Sequence, residues 1–312
     1  MEFSKTKHLE DVVYSHKMTH IQLIMDKALK KRDEIKDALK DKYGNKRPTR
    51  AINSGSYAKH TAINIKFDID ISQPFKRDSF TTLQEMADDV FNYFNTEYKE
   101  KDSQLTQVRK QTKSTGLTFD LEGDIICMDV VPGRELTQDD YVETNRLKLY
   151  VREENEQDAT STLTNIQNHT EHINGKSKER PVIRLLKVWK HNKGKKYIKS
   201  FFLELIVIRA FKNETTIPVD LWERLKKAME FIRDNVETIK LEDPGNSNNI
   251  VSNDLTEQEK KNLSNDMKTM LERIEERSEN IKIYFAVNEK YAPKEERNGN
   301  KSAAILGTSR FS

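Results

Sequence analysis

Two aspartates separated by one residue are the first candidates for chemistry in this chain. They lie in NIKFDIDISQPF, residues 64–75, where apolar residues alternate with polar ones and Pro74 is predicted to stop a β-strand. Residues two apart in a strand project from the same face, about 7 Å apart. Asp68 and Asp70 should therefore repel each other unless a cation lies between them. A divalent metal such as Mg²⁺ or Mn²⁺ suits such hard oxygen ligands.

A third carboxylate would complete the set that two-metal phosphoryl-transfer sites use. Asp129 lies in the apolar run DIICMDVVPG, residues 124–133, where a carboxylate is costly without a partner. If this strand neighbours the first, Asp129 supplies another ligand and can accept the proton of an attacking hydroxyl. Asp124 is a weaker candidate because it stands beside a turn. The alternative is that Asp68 and Asp70 are solvated residues of an edge strand.

A glycine-serine pair precedes the aspartates at a distance that suits phosphate binding. Glycine allows the backbone to approach a phosphate closely, and the start of a helix just after it favours an anion. Ser56 can donate a hydrogen bond to a phosphate oxygen. Gly55 and Ser56 are thus candidates for a phosphate-binding turn.

The elements that position these residues follow from hydrophobic periodicity. The first half mixes helices and strands, and Gly116 and Gly123 are predicted to form turns. Residues 161–177 are polar and are predicted to be a loop or domain junction. The expected elements are a long or broken helix at 4–43, strands at 51–54 and 64–75, a helix at 80–100, two or three strands across 104–133, and helices at 180–192, 200–213, 219–239 and 255–278. This pattern indicates an α+β domain followed by a helical domain.

The order of these motifs resembles that of the polymerase-beta-like nucleotidyltransferases. GSYAKHTAINIKFDID, residues 55–70, followed by MDVVP, is similar to their pattern of Gly-Ser, Asp-x-Asp and a third aspartate. Ser54 departs from it, because an apolar residue usually precedes the glycine. Residues 182–211 and LEDPGNSNNI, residues 241–250, are similar to segments of the oligoadenylate synthase and cyclic GMP-AMP synthase branch. The best resemblance is to the bacterial CD-NTases, which include DncV-like enzymes and make cyclic oligonucleotides in anti-phage (CBASS) signalling.

The resemblance implies a polymerase-beta-like nucleotidyltransferase core, with a mixed sheet, flanking helices and a long N-terminal helix. A helical second domain follows. The implied boundaries are 1–165 for the core with its aspartate triad, 166–300 for a helical nucleotide-binding domain and 301–312 for a C-terminal tail.

The resemblance also assigns roles to individual residues. The implied roles are metal binding and catalysis for Asp68, Asp70 and Asp129 with two Mg²⁺ or Mn²⁺ ions, phosphate binding for Gly55 and Ser56, nucleotide binding from the same turn region for Lys59 and Thr61, donor-triphosphate binding for Lys187 and Ser200, and base stacking for Phe201. Two of these residues have an alternative reading. Lys187 could be a helix-surface residue with its stem on the apolar core, and Phe201 lies in an apolar run and could be core.

Three functions remain open from the sequence. The first is an enzyme that joins NTPs into a cyclic di- or trinucleotide second messenger. The second is a nucleotidyltransferase that acts on RNA or protein acceptors, as toxin-like members do, or that makes linear oligonucleotides. The third is a non-catalytic nucleotide-binding module, against which an intact aspartate triad argues.

Composition restricts partners and compartment. The single cysteine, Cys127, excludes an internal disulfide and a cysteine-rich structural zinc site. No apolar run is long enough for a membrane span, and we expect a cytoplasmic protein. The net charge of only +3 argues against a nucleic-acid activator, although the basic segment 190–199 could line a triphosphate pocket or touch nucleic acid. NTP substrates and CBASS partner proteins are the expected partners.

Overall fold

A computed structural model describes residues 3–65, 67–153 and 159–293. The tail predicted at 301–312 lies outside the described residues. The first half contains α1 Lys5–Ser15, α2 Gln22–Tyr43, β1 Ile52–Ser54, α3 Gly55–Ala58, β2 Ile69–Phe75, α4 Leu83–Tyr93, α5 Lys99–Lys101, β3 Leu105–Lys110, β4 Thr115–Leu121, β5 Asp124–Glu135, α6 Tyr141–Thr144 and β6 Arg146–Val151. The second half contains β7 Thr160–Asn165, α7 Ile166–Ile173, α8 Glu179–Asn192, α9 Ser200–Ala210, α10 Leu221–Asn235, β8 Glu242–Asp243, β9 Asn246–Ile250, α11 Glu257–Glu276 and α12 Ile281–Tyr284.

The N-terminal helix is long and broken, as its periodicity predicts. The Ser4 hydroxyl caps α1 by accepting a hydrogen bond from the Lys7 backbone N–H at 3.2 Å. A short 3₁₀ turn, Met18–Ile21, separates α1 from α2. The buried face of α2 recurs at helical spacing through Ala28, Ile35 and Leu39 and packs on the sheet.

A mixed sheet carries the candidate aspartates. Its central strands run in the order β1-β2-β5-β4-β3, with β2 and β5 parallel and the other neighbours antiparallel. The far end of β5 also pairs with β6, and β6 pairs with β7. The parallel register sets Asp70 directly opposite Asp129. The predicted α+β class with a mixed sheet is confirmed.

The strand that carries the Asp-x-Asp motif starts later than predicted and is not stopped by its proline. It begins at Ile69, so Asp68 immediately precedes it. Pro74 does not stop the strand, which continues to Phe75. The reason is that β1 pairs only with Asp70–Ser72. Pro74 lies beyond this pairing, so the N–H group that proline lacks is not needed for a hydrogen bond to β1.

Two further predictions about the chain's path are wrong. Gly116 is not in a turn but inside β4, opposite Asp129, whereas Gly123 does form the predicted turn between β4 and β5. Residues 161–173 are not a loop, since they form most of β7 and all of α7, whereas 174–177 are irregular as predicted. The polar composition misled because β7 pairs with β6 alone and leaves most of its side chains partly or fully exposed. The alternative reading of this segment as a domain junction stays a prediction.

The described residues form two principal hydrophobic cores. One lies between the sheet and helices α2 and α4. The other joins helices α8 to α11, and α1 packs into it through Leu9 and Val12. The predicted division at residue 165 stays a prediction. Within the described ranges, no helix combines the length and the apolar character that a membrane crossing needs.

Candidate active site

A cleft of about 700 Å³ opens between the aspartate-bearing edge of the sheet and helices α8 and α9. Nine of the ten residues predicted to be functional line it directly, together with further cations. The tenth, Asp129, is not part of the lining and lies next to Asp70 on the neighbouring strand. The lining comprises Gly55, Ser56, Lys59, Thr61, Ala62, Ile63, Phe67, Asp68, Asp70, Lys187, Lys190, His191, Gly194, Lys195, Lys196, Ser200, Phe201 and Glu204.

The carboxylates are arranged as a mutually repulsive group. Burial raises the pKa of Asp70 to about 7, and the like charges of Asp129 and, to a smaller extent, Asp68 add to this effect. Burial and the charge of Asp68 raise the pKa of Asp129 to about 6, against the opposing effects of Gln111 and Arg109. The site therefore favours a cation or a proton between these side chains.

Asp124, the weaker candidate, takes no part in this group. Its Oδ2 accepts a hydrogen bond from the Lys27 Nζ at 2.9 Å at the start of β5, away from Asp129. Its role is therefore to hold α2 on the sheet.

Gly55 is required by the close approach of the turn to Asp70. Its φ of +70° lies in the left-handed region, which glycine tolerates best. A Cβ at this position would stand 1.6 Å from the Asp70 Oδ2, which no side chain can accommodate. The backbone of the turn is thereby held against the carboxylate, with Ser56 beside it at the cleft.

A buried ionic network closes the cleft on its inner side. Glu204 of α9 accepts hydrogen bonds from the Nζ atoms of Lys59 and Lys187, the latter at 2.7 Å, and from the Thr61 hydroxyl at 2.7 Å. The Lys187 Nζ also donates to the Thr61 Oγ1 at 2.8 Å. Lys187 is only 5% exposed and Glu204 only 3%. Lys187 is thus not a helix-surface residue.

The charges of this network depend on one another. Burial would raise the pKa of Glu204, but the charges of Lys187 and Lys59 outweigh it and hold that pKa well below its usual range. Burial lowers the pKa of Lys187, and Glu204 offsets this only in part. Two ammonium groups are thus kept at the cleft wall by one carboxylate.

The outer wall of the cleft is basic and aromatic. Ser200 accepts a hydrogen bond from the Lys190 Nζ at 3.4 Å at the start of α9. Phe201 is half-buried: it packs against the helical core and also lines the cleft. The Lys59 Nζ lies 4.9 Å from the centre of its ring. Lys195 and Lys196 of the basic segment also line the cleft, so this segment is placed where it could contact a triphosphate.

Sequence reasoning missed Glu204 and Gln111, and it placed Thr61 in the turn region without its hydrogen bond to Glu204. Glu204 had a detectable signal, because it is an isolated charge in the apolar run FFLELIVI, and a buried carboxylate requires partners. Gln111 had none: it lies in the turn between β3 and β4, and only the folded chain brings it to Asp129.

The donor set fits a divalent cation. Hard carboxylate oxygens suit Mg²⁺ and Mn²⁺. Because burial and like charges raise the pKa values of Asp70 and Asp129, a cation beside them would stabilise their ionised forms. Among the described residues, no three acidic, histidine or cysteine side chains are already gathered closely enough to hold a metal ion.

Comparison with solved structures identifies the fold. No protein-family model and no curated relative matches the sequence. Among the similar structures, CdnC of E. coli MS115-1 with ATP has a TM-score of 0.69 and 19% identity, over 88% of this chain and 92% of that one. CdnG of Bradyrhizobium diazoefficiens, a CD-NTase in complex with GTP, has a TM-score of 0.69 and 11% identity, over 91% and 95%. The chain has the CD-NTase fold.

A third neighbour with the CD-NTase fold is CdnE of Elizabethkingia meningoseptica, a cyclic dinucleotide synthase with GTP and Apcpp. Its TM-score is 0.59 with 17% identity, over 86% of this chain and 99% of that one. The match to these three neighbours spans nearly the full length of each. The CD-NTase fold therefore covers both the sheet that carries the aspartates and the helices that carry Lys187 and Ser200.

Proposed function

We propose that this chain is a nucleotidyltransferase that joins nucleoside triphosphates into a cyclic di- or trinucleotide second messenger. The observation that carries the proposal is the pairing of Asp70 with Asp129 across parallel strands, beneath a glycine turn and facing a lysine-lined cleft. A fold alone does not determine activity, so the argument rests on this site. The ATP and GTP bound to CdnC and CdnG support nucleotide substrates.

Each group at the cleft has a role in the proposed reaction. The backbone at Gly55 and the Ser56 hydroxyl bind phosphate oxygens, and Lys187 and Ser200 hold the donor triphosphate. Phe201 offers a ring face for a base. Lys59, held by Glu204 beside that ring, adds positive charge between base and phosphates.

The chemistry is a displacement at phosphorus. A hydroxyl oxygen of one nucleotide forms a bond to the α-phosphorus of another, the bond to pyrophosphate breaks, and Asp129 accepts the hydroxyl proton. Two Mg²⁺ or Mn²⁺ ions, held by Asp68, Asp70 and Asp129, would neutralise charge on the entering and leaving oxygens. A second transfer of the same kind closes the ring.

Mass spectrometry of the reaction products tests the proposal. The purified protein is incubated with all four NTPs and Mg²⁺ or Mn²⁺, then treated with phosphatase. The expected result is a phosphatase-resistant species at the mass of a cyclic oligonucleotide, with release of pyrophosphate. An Asp129→Asn variant should give none while its circular dichroism spectrum is unchanged, and an Asp78→Asn variant, altered at an exposed aspartate, should retain full activity.

Other outcomes would contradict the proposal in distinguishable ways. Phosphatase-sensitive products would indicate linear oligonucleotides. Transfer of label from NTPs only to added RNA or protein would indicate a toxin-like transferase. Equal product from the wild type and the Asp129→Asn variant would refute the assignment of the site.

The wider biological setting rests on the resemblance. We extend the proposal to CBASS anti-phage signalling in the bacterial cytoplasm, with partner proteins of that system and without a structural zinc site or a nucleic-acid activator. The division into a core, 1–165, and a helical domain, 166–300, belongs to the same proposal. It is supported by the two hydrophobic cores.

A further inference from the structure

A second cavity, also of about 700 Å³, lies between α2 and the segment that leads into β1. It shares no lining residue with the cleft of the candidate active site. We call it the basic groove, because the cations Arg32, Lys36, Lys40, Arg47 and Arg50 line it.

The positive charges of the basic groove are only partly compensated. Asp33 and Asp37 also line it, and Asp33 is paired with Arg32 by hydrogen bonds of 2.8 and 3.0 Å. Within the part of the chain that the structure describes, the other four cations, Lys36, Lys40, Arg47 and Arg50, form no ion pair, although the charge of Asp41 acts on Arg47. The groove therefore presents a net positive surface.

Arg47 is the most informative of these cations. Its Nε and Nη1 atoms are buried and have no hydrogen-bond partner among the described residues. Buried polar atoms of folded proteins are nearly always hydrogen-bonded, and leaving a charged donor unpaired is costly. The planar guanidinium group matches the geometry of phosphate and carboxylate oxygens. Because Arg47 lines the groove, an anion there would compensate the charge of this guanidinium group.

Like charges also crowd the groove around Lys36. Burial and the nearby charges of Arg32 and Arg50 lower the pKa of Lys36, and its Nζ donates to the Asn53 Oδ1 at 2.6 Å. A bound anion would relieve this repulsion. Because Asn53 belongs to β1, which runs directly into Gly55, the ligand would lie against the strand that leads to the candidate active site.

We propose that the basic groove binds a small anion that carries several phosphate groups, either a nucleoside triphosphate or a free oligophosphate. The cavity has the size of sites for ligands of this class. The carboxylates of Asp33 and Asp37 along its α2 side disfavour a long polyanion that would run past them. The proposal does not depend on the catalytic function, since the two cavities are separate.

Isothermal titration calorimetry with inorganic tripolyphosphate tests the proposal. The titration is done in EDTA, so that the carboxylates of the cleft stay uncompensated and repel the probe. We expect one saturable site. Two variants should weaken binding at least tenfold: Arg47→Gln, and the double variant Lys40→Gln/Arg50→Gln, which changes only exposed or partly exposed side chains and keeps the test open if the first fails to fold. The matched control is Lys260→Gln/Lys261→Gln on α11, which removes the same charge and should change the dissociation constant less than twofold.

Hydrogen–deuterium exchange locates the bound probe. Tripolyphosphate should protect backbone amides in 47–53 and leave those of α8 and α9 unchanged. ATP is the second probe: tenfold tighter binding than tripolyphosphate identifies a nucleotide as the ligand, and equal binding identifies the oligophosphate chain.

Three results would overturn the proposal. They are the absence of saturable binding, equal binding by the wild type and the groove variants, and protection confined to the cleft. A single-stranded oligonucleotide that bound more than tenfold tighter at the same salt and competed with tripolyphosphate would replace the small anion with a nucleic acid.

Discussion

Replacement of Asp70 by asparagine should stabilise the protein in the absence of divalent metal at alkaline pH. A pKa raised from 3.8 to about 7 corresponds to a cost of about 4 kcal/mol for holding this charge in the folded state. Asparagine removes the charge but still buries a polar amide, so we expect about half of this value, about 2 kcal/mol, as the gain in free energy of unfolding. A stabilising substitution at a candidate catalytic residue is the signature of a site built for function.

The gain should depend on pH in a defined direction. The folded-state pKa of Asp70 lies above the unfolded value, so the folded protein binds the extra proton between about pH 4 and pH 7. The wild type therefore carries the full electrostatic cost above pH 7 and loses it progressively as the pH falls. The electrostatic cost should fall by about 2 kcal/mol between pH 8 and pH 5.5, whereas the cost of burying the amide does not change with pH. The advantage of Asp70→Asn should therefore shrink to nearly zero at pH 5.5.

Urea denaturation in EDTA at these two pH values measures the effect, with Asp78→Asn at an exposed position as the control. Addition of Mg²⁺ at pH 8 should stabilise the wild type and leave Asp70→Asn unchanged, which closes the gap between them. If Asp70→Asn is less stable than the wild type at both pH values, the carboxylate is not strained and the electrostatic reasoning fails.

Three other substitutions test separate parts of the site. Glu204→Gln leaves two buried lysines without their counter-ion and should lower the free energy of unfolding by about 3–5 kcal/mol, measured by urea denaturation. Gly55→Ala places a Cβ 1.6 Å from the Asp70 Oδ2 and should reduce pyrophosphate release more than 100-fold, whereas Gly123→Ala, at a positive φ but in open space, should keep full activity. Phe201→Leu should raise the KM for NTPs about 5- to 100-fold, because base stacking contributes about 1–3 kcal/mol, with little change in kcat.

Each of these three predictions would be contradicted by a specific result. A Glu204→Gln protein as stable as the wild type would mean that Lys59 and Lys187 are not held as charged groups by this carboxylate. Full activity in Gly55→Ala would show that the turn does not need its close approach to Asp70. An unchanged KM in Phe201→Leu would place the base elsewhere and leave Phe201 as a core residue.

The residues predicted for the site come together in the fold, whereas the limits of the strands that hold them are predicted less well. Asp68, Asp70 and Asp129 could be singled out because charges in apolar strands are costly, and that cost does not depend on where the strand starts. The start of β2 at Ile69 could not be predicted, since it depends on where the pairing of β2 with β1 and with β5 begins. Alternation over 64–75 continues beyond the paired residues and carries no information about that limit.

The strand pair β6 and β7 was missed for a related reason. The residues of β7 are mostly polar and mostly partly or fully exposed, so this strand lacks the apolar run that identifies a buried strand. Backbone pairing with Arg146–Val151, whose apolar residues are buried, holds β7 in the sheet. Pairing of this kind depends on which segments lie side by side in the folded chain, and a single sequence does not show this.

Glu204 explains how two separately packed parts of the chain form one cleft. The residue projects from α9 in the helical core, yet two of its partners, Lys59 and Thr61, follow the glycine turn beside the sheet. Lys187 of α8 donates to the same carboxylate. The Glu204 side chain is therefore held by residues from both parts of the chain. Since a buried ion pair contributes little net stability compared with apolar packing, its retention here is better explained by position. The carboxylate fixes two lysines at the wall that faces the candidate metal ligands, where a triphosphate would have to lie.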